Sequence, residues 1–171
     1  MDRDTVLRPA VPADTPAMAA GMADALADYP SFAPPGWAVP PQSAEEAALR
    51  ALLSDPDVWA YVAEVDGRIA GQITLVPARR AARAVDEPGL VHLRNLFVDH
   101  AHWGGGIATA LHAAAVEAAR ERGYTAMRLF VATGQARARG FYAREGWDEV
   151  GAPFFDATLN LELVELRRPV G

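Results

Sequence analysis

Cysteine is missing from all 171 residues. Its absence excludes disulfides, thiolate metal sites and a thiol nucleophile. Lysine is missing too, so all 16 basic residues are arginine. No lysine side chain is available to be acylated, to form a Schiff base or to act as a general base. Serine is confined to Ser31, Ser43 and Ser54. No apolar run approaches the ~18 residues of a membrane-spanning helix. The charged opening Met1-Asp2-Arg3-Asp4 leads into no signal-peptide core. Cytoplasm is the expected location. With a net charge of −6, the chain lacks the basic face of a general nucleic-acid binder. Neither nucleic acid nor membrane is an expected partner. An anionic ligand held at a local site remains compatible with that charge.

What is present is the composition of a globular protein, 51% hydrophobic and 22% charged. The length predicts one domain over residues 1–171, with enough chain for a real core. Val6 to Val11 reads as a first strand. Asp14 is placed to cap a helix running to about Asp28, with Pro16 in its first turn. Tyr29 to Ser43 is a stiff, proline-rich loop carrying three aromatics. Ser43 and Glu46 have capping-box spacing for a helix over Ala44 to Leu53. Asp66-Gly67 joins two strands, Trp59 to Val65 and Arg68 to Val76. An arginine-rich loop, Ala78 to Gly89, precedes a strand over Val91 to Val98.

The spacing then predicts a helix from Ile107 to Arg122 ended by Gly123, a strand over Thr125 to Ala132, and a helix over Ala136 to Glu145 stopped by Gly146. Trp147 to Val150 and Ala157 to Leu166 read as final strands joined by "GAPFF". The order is β-α-α-β-β-β-α-β-α-β-β, one mixed α/β sheet with helices on its faces.

The most unusual stretch is "HWGGGIATAL", His102 to Leu111. Three consecutive glycines are costly to order, yet they run directly into a helix. A strand, a bare turn and a helix N-terminus together make an anion site, because the first amides of a helix lack partners and the helix dipole favours negative charge. A tight turn needing positive φ angles explains the glycines equally well. Named phosphate loops do not match. No Gly-Lys-Ser/Thr follows Gly106, and Thr109 stands where the dinucleotide fingerprint needs its last glycine. His102-x-Gly104-Gly105-Gly106 resembles an esterase oxyanion loop, but none of the serines sits in G-x-S-x-G.

"LRNLFVDHAHWGGGIATALHAAAVEAARERGYTAMRLFV" followed by "QARARGFYAREGW" resembles the acetyl-CoA core of the GNAT superfamily of N-acetyltransferases. That family has a loop Arg/Gln-x-x-Gly-x-Gly/Ala before a helix, and further on Asn-x-x-Ala-x-x-Phe-Tyr-x-x-x-Gly-Phe. Gly106-Ile107-Ala108 falls on Gly-x-Ala. Ala138, Phe141, Tyr142 and Gly146 fall on the second pattern. "LRPAVPADTPAM" is similar to the family's opening strand and helix. The clear match covers Val91 to Trp147. Three positions depart from it: Trp103 stands for Arg or Gln, Gln135 for Asn, and Trp147 for Phe.

The resemblance implies a GNAT-like α/β domain: a mixed, mostly antiparallel sheet of about six to seven strands, helices on both faces, and a splayed central strand pair. It implies acetyl-CoA as cosubstrate and no metal. The backbone of Leu96, Phe97 and Val98 would hold the pantetheine arm. Trp103, Gly104, Gly105, Gly106, Ile107, Ala108 and Thr109 would wrap the pyrophosphate, and Gln135 and Ala138 would complete the CoA site. Tyr142 matches the tyrosine that protonates the leaving thiolate. Some family members carry a basic glutamate where His92 stands here. An imidazole suits that task, and a histidine bonded into the sheet is the other reading. Glu64 is a second candidate base, and ordered water a third. Asp99, His100 and His102 are ligand types without a full metal set, and more simply shape the loop entry.

The family's acceptor enters opposite CoA. Tyr29, Phe32, Trp37, Phe154 and Phe155 would line that cleft or pack its loops. Arg79, Arg80 and Arg83 are solvated, or meet an acidic acceptor or the CoA 3′-phosphate, for which Arg137 and Arg139 also qualify. The expected function is acetyl transfer from acetyl-CoA to a primary amine of a small molecule or peptide. A CoA-binding domain with a regulatory role and little transfer is the alternative. Homodimers are common in the family, and one is expected here on that ground alone.

Overall fold

A computed structural model describes residues 5–171, and the opening Met1–Asp4 lies outside the described residues. The elements follow the predicted order. Strand β1 (Thr5–Pro9) leads into helices α1 (Thr15–Ala25) and α2 (Gln42–Leu53). Strands β2 (Trp59–Val65), β3 (Arg68–Pro77) and β4 (Leu90–Val98) come next. Helix α3 (Ile107–Glu121), β5 (Ala126–Ala132) and α4 (Ala136–Arg144) precede the last hairpin, β6 (Asp148–Asp156) and β7 (Leu161–Pro169). All seven strands form one sheet in the order β1-β2-β3-β4-β5-β7-β6. Every neighbouring pair is antiparallel except β4 and β5. The β2–β3 turn puts Asp66 at φ 51° and Gly67 at φ 73°, the left-handed pair that a two-residue hairpin prefers.

Adjacent residues of a strand point to opposite faces, and β3 shows which helix covers which. Gly71 lies under Ile107 and Leu111 of α3. Gln72 donates from Nε2 to the Met18 carbonyl of α1 at 2.8 Å. Helices α1 and α3 therefore cover opposite faces. The main core joins Ile73, Leu75, Val91, Leu93, Met127 and Leu129 of the sheet to Ile107, Leu111 and Ala115 of α3 and Tyr142 of α4. A smaller core seats Met18, Ala19 and Leu49 on Val62. Each large side chain so buried contributes roughly 1.5–3 kcal/mol.

One polar network lies inside the main core. Trp147 Nε1 donates to His112 Nε2 at 2.9 Å. An indole N–H only donates, so Nε2 carries no proton and the imidazole is neutral. Its Nδ1–H faces Glu145 Oε2 at 3.3 Å. The network fastens α3 to the end of α4. The tryptophan that replaces the family's phenylalanine thus brings a donor with it, and His112 is the acceptor.

Three local expectations are corrected. Asp14 does not cap α1 with its side chain; its carboxylate accepts from the Val11 N–H at 2.8 Å and from Arg8, and α1 ends at Ala25. Ser43 is not the cap of α2, which starts at Gln42 after Pro41 with no side-chain cap. "GAPFF" is not a connection but part of β6. Gly151 at φ 75° and a register break between Val150 and Phe154 absorb it as an irregularity. The true turn is Ala157–Asn160. There Asp156 Oδ1 accepts from the Thr158 and Leu159 amides at 2.9 Å each, and Asn160 takes φ 52°.

Two buried histidines make stability depend on pH. Burial pulls His112 down to about 4, with a smaller push from Arg168. Burial, then Arg128, pulls His92 down to about 3. Folded, both refuse a proton that the unfolded chain accepts near its ordinary pKa of ~6.5. Stability is therefore full above that pH and falls as pH drops toward 4. Urea unfolding at pH 5 should give a stability lower than at pH 7 by about 2 kcal/mol per histidine. His112→Gln should remove about half of that difference; a difference as large in the variant as in the wild type would refute the assignment.

Candidate active site

Parallel pairing between β4 and β5 is limited to Leu90 with Ala126, Val91 with Met127 and His92 with Arg128. Beyond His92, β4 stays with β3 as far as Val98 opposite Gly71. Strand β5 stays with β7 as far as Ala132 opposite Leu163. The two strands splay, as expected, and leave backbone edges facing each other without a ladder. Buried backbone groups need partners, so such a gap is suited to an extended chain that pairs with one edge. The bend has a local cause. Thr74 pairs with Asn95 and Leu75 with Leu93, which leaves Arg94 as the extra residue of a bulge. Arg94 reaches α2, donating from Nη2 to Glu45 Oε2 at 3.1 Å.

At the far end of β4 lies the glycine run. His100–His102 form a 3-10 turn, and Gly104 and Gly106 then adopt φ 81° and 84°. Only glycine takes this conformation without strain. Gly106 is also the N-cap of α3 and has no side chain to cap it. The first intrahelical bond is Ala110 N–H to the Gly106 carbonyl, so the amides of Ile107, Ala108 and Thr109 are left without helical acceptors. These unpaired donors, with the helix dipole behind them, fit a phosphate. Helix α3 is held close enough to present them because Gly71 gives it room: a Cβ there would lie 2.9 Å from Ile107 Cγ2.

The main core brings Tyr142 and Ile107 together, with Leu96, Val98, Ala138 and Phe141 packed against it. Tyr142 is 7% exposed, between Phe141 and Trp147. Burial, and to a lesser degree neighbouring Tyr29, raises its phenol above the ordinary value. It keeps its proton throughout the neutral range. Tyr29 donates to Gln135 Oε1 at 3.3 Å, and burial pushes its own phenol up to about 12. The Val98 carbonyl accepts the Trp103 indole N–H at 2.8 Å.

Of the candidate bases, His92 is buried at the point where β4 and β5 part, and Glu64 is ion-paired. His92 is 4% exposed, with Nδ1 buried and without a partner, and its ring faces Phe130 at 5.1 Å. Its depressed pKa makes it a weak proton acceptor at neutral pH. Glu64 is bound by Arg8, which also grips Asp14 at 2.7 Å. His100 bonds Asp28 at 2.9 Å, and no group of three or more metal-ligating side chains assembles among the described residues.

Tyr29, Phe32, Trp37 and Phe154, the aromatics expected to line the acceptor cleft or pack its loops, pack with Ala132, Leu161 and Leu163 in a satellite cluster. Trp37 Nε1 donates to the Leu159 carbonyl at 2.8 Å. These aromatics fasten the α1–α2 loop to the β6–β7 hairpin. A recess of about 250 Å³ remains beside them, lined by Phe32, Thr133, Gly134, Phe155 and Glu162 among others. Phe155 is 58% exposed. Arg79 and Arg80 pair with Asp55 and Asp57 across exposed loops, whereas Arg83 lies 4.0 Å over the Phe154 ring. Arg139 bonds Glu149 and the Thr133 carbonyl.

Sequence reasoning missed Arg128. It is 3% exposed and donates from Nη2 to the Ala82 and Arg83 carbonyls at 3.1 and 2.8 Å, tying the arginine-rich loop to β5. An arginine in the middle of an apolar strand was the available signal.

A family model described as "Acetyltransferase (GNAT) family" matches residues 22–147. Human N-acetyltransferase 8B is 32% identical over 110 residues, which cover 62% of this chain and 45% of the human protein. The chain thus spans about half the length of the curated relatives it matches. Among solved structures, the ribosomal-protein-alanine N-acetyltransferase of Brucella melitensis aligns with TM-score 0.72 at 23% identity, over 96% of this chain and 99% of that one. The PaiA N-acetyltransferase of Thermoplasma acidophilum, solved in complex with coenzyme A, aligns with TM-score 0.68 at 16% identity, over 96% and 98%. The fold is therefore shared.

The close seat of α3 is testable by itself. In Gly71→Ala the new methyl also meets Leu111 Cδ1 at 3.1 Å and the Phe97 carbonyl at 3.2 Å. Urea unfolding should show a loss of about 1–3 kcal/mol; unchanged stability would mean that α3 is not held against β3 as described.

Proposed function

The chain belongs to the GNAT family of acetyltransferases, and from that premise we propose that it moves the acetyl group of acetyl-CoA directly onto a primary amine of a small molecule or peptide. Residues 1–171 act as one catalytic unit in this reading, in the cytoplasm and as a homodimer. The observation that carries it is the juxtaposition of a splayed β4–β5 edge, the unpaired amides after Gly106 and the buried Tyr142.

Acetyl-CoA supplies an acetyl group activated as a thioester. The bare backbone of Gly104 to Gly106 wraps its pyrophosphate, and the free amides of Ile107 to Thr109 bind it. The β4 backbone at Leu96, Phe97 and Val98 pairs with the pantetheine arm and polarises the acetyl carbonyl. Backbone donors suit this role because they are fixed before reaction. Gln135 and Ala138 border the arm from α4. The acceptor nitrogen attacks the carbonyl carbon and the carbon–sulfur bond breaks. Tyr142 gives its hydroxyl proton to the departing sulfur and regains one from solvent.

The proton lost by the amine goes to ordered water. His92 is buried and depressed, and Glu64 is held by Arg8, so neither is poised to take it. The recess beside Phe32 and Phe155 receives the acceptor, and Glu162 offers a carboxylate to an ammonium approaching it. Tyr29, Trp37 and Phe154 frame the recess by packing its walls. The lack of a poised base also favours a second reading, a CoA-binding domain with little transfer.

Acetyl-CoA should raise the melting temperature, and thiol release over a panel of primary amines should distinguish the readings. Stabilisation without release would leave the binding domain. Tyr142→Phe should lower kcat by ~10²–10⁴ while acetyl-CoA affinity stays nearly unchanged; an unaltered kcat would remove Tyr142 from the chemistry. His92→Ala should leave the pH profile of kcat/KM unshifted above pH 5, and a shifted profile would reinstate His92 as the base.

A further inference from the structure

The glycine loop lacks a charged side chain of its own at position 103, where the resembled family has Arg or Gln. Trp103 is tied down at its indole nitrogen by the Val98 carbonyl, 2.8 Å away. The residue is 38% exposed, and a guanidinium covers one side of its ring: Arg137 Cζ lies 3.6 Å from the ring centroid. The His100 ring packs at 4.0 Å, and His100 in turn bonds Asp28. Arg137 belongs to the first turn of α4, immediately after Gln135 and Ala136.

Three other arginines of the C-terminal half are engaged. Arg139 is held by Glu149 and Arg167 by Glu87, and Arg168 donates to the Glu145 carbonyl. Arg137 has no carboxylate partner among the described residues, although the chain carries 22 acidic side chains. Stacking on an aromatic face fixes the plane of a guanidinium and leaves its edge N–H groups free to donate. Those donors are held on Trp103, the residue that leads directly into the glycine run.

We propose that Arg137 is the cation of the CoA pyrophosphate site, delivered from α4 onto the loop, and that Trp103 is the positioning residue that holds it there. The proposal rests on the acetyl-CoA reading above. The charge absent at position 103 is thus restored from another helix, so the loop and α4 close on the phosphates together. A lysine at 137 would keep the charge but not the planar stack.

Calorimetric titration of the full chain with CoA and with 3′-dephospho-CoA tests this without any turnover. Arg137→Ala should weaken both ligands by the same factor, about tenfold, with the ligand-free melting temperature unchanged. Arg137→Lys should fall between. Trp103→Leu should weaken both ligands, and Trp103→Leu/Arg137→Ala should be no weaker than Arg137→Ala, because the two residues act as one unit. Trp103→Arg/Arg137→Ala should recover most of the loss by placing the charge on the loop itself. Unchanged affinity in Arg137→Ala overturns the proposal. So does a loss confined to CoA, which would put Arg137 at the 3′-phosphate. A wild-type chain that binds neither ligand overturns the acetyl-CoA reading itself, and the proposal with it.

Discussion

The parallel ladder between β4 and β5 stops at His92 and Arg128, and the working end of the molecule is arranged around that stop. A continued ladder would satisfy both strand edges and close the sheet. The bulge at Arg94, anchored to Glu45, bends β4 while β3 follows it. Strand β5 is drawn the other way, into register with β7 over its whole length. Arg128 holds the far side of the junction by bonding the carbonyls of the loop that leads into β4. Helix α3 docks on β3 because Gly71 offers no side chain, which sets its uncapped N-terminus just beyond the end of β4. A sheet defect, one missing Cβ and one uncapped helix thus depend on one another.

Much of this was legible in the sequence, and particular residues show why. Asp66-Gly67 and the stretch Gly106 to Gly123 carry local signals that tertiary packing does not overrule. The pattern around Tyr142 located α4 and the core tyrosine together. Reading failed where a residue's partner is remote. Glu64 has the right chemistry for a base, and β1 delivers Arg8 beside it, two residues along from Val6, which pairs with Glu64. Trp147 reads as a change of packing, yet its N–H demands an acceptor, and His112 lies on another helix. "GAPFF" has turn composition, and only pairing with β7 makes it strand. Ser43 lost the cap of α2 to Pro41, whose ring presets its φ.

Electrostatics in this chain is an arginine matter throughout, and burial divides the arginines into kinds. Exposed pairs such as Arg80 with Asp55 and Asp57, or Arg50 with Glu46, lie in water, where solvent screens them and they add little to stability. Arg128 is different. Burial lowers its pKa below the ordinary arginine value, and carbonyl oxygens compensate it in place of a counter-ion. A single nitrogen, Nη2, meets both carbonyls with its two N–H groups.

The satellite cluster of Tyr29, Phe32, Trp37 and Phe154 is separate from the main core. Its members come from two surface segments, and they bury against each other as much as against the sheet. Substitutions there change the shape of the recess without loosening α3 or the glycine loop. The shape of the recess and the seat of α3 are consequently set by different residues. A lineage of such chains can therefore reshape the recess while the seat of α3 on the sheet stays as it is.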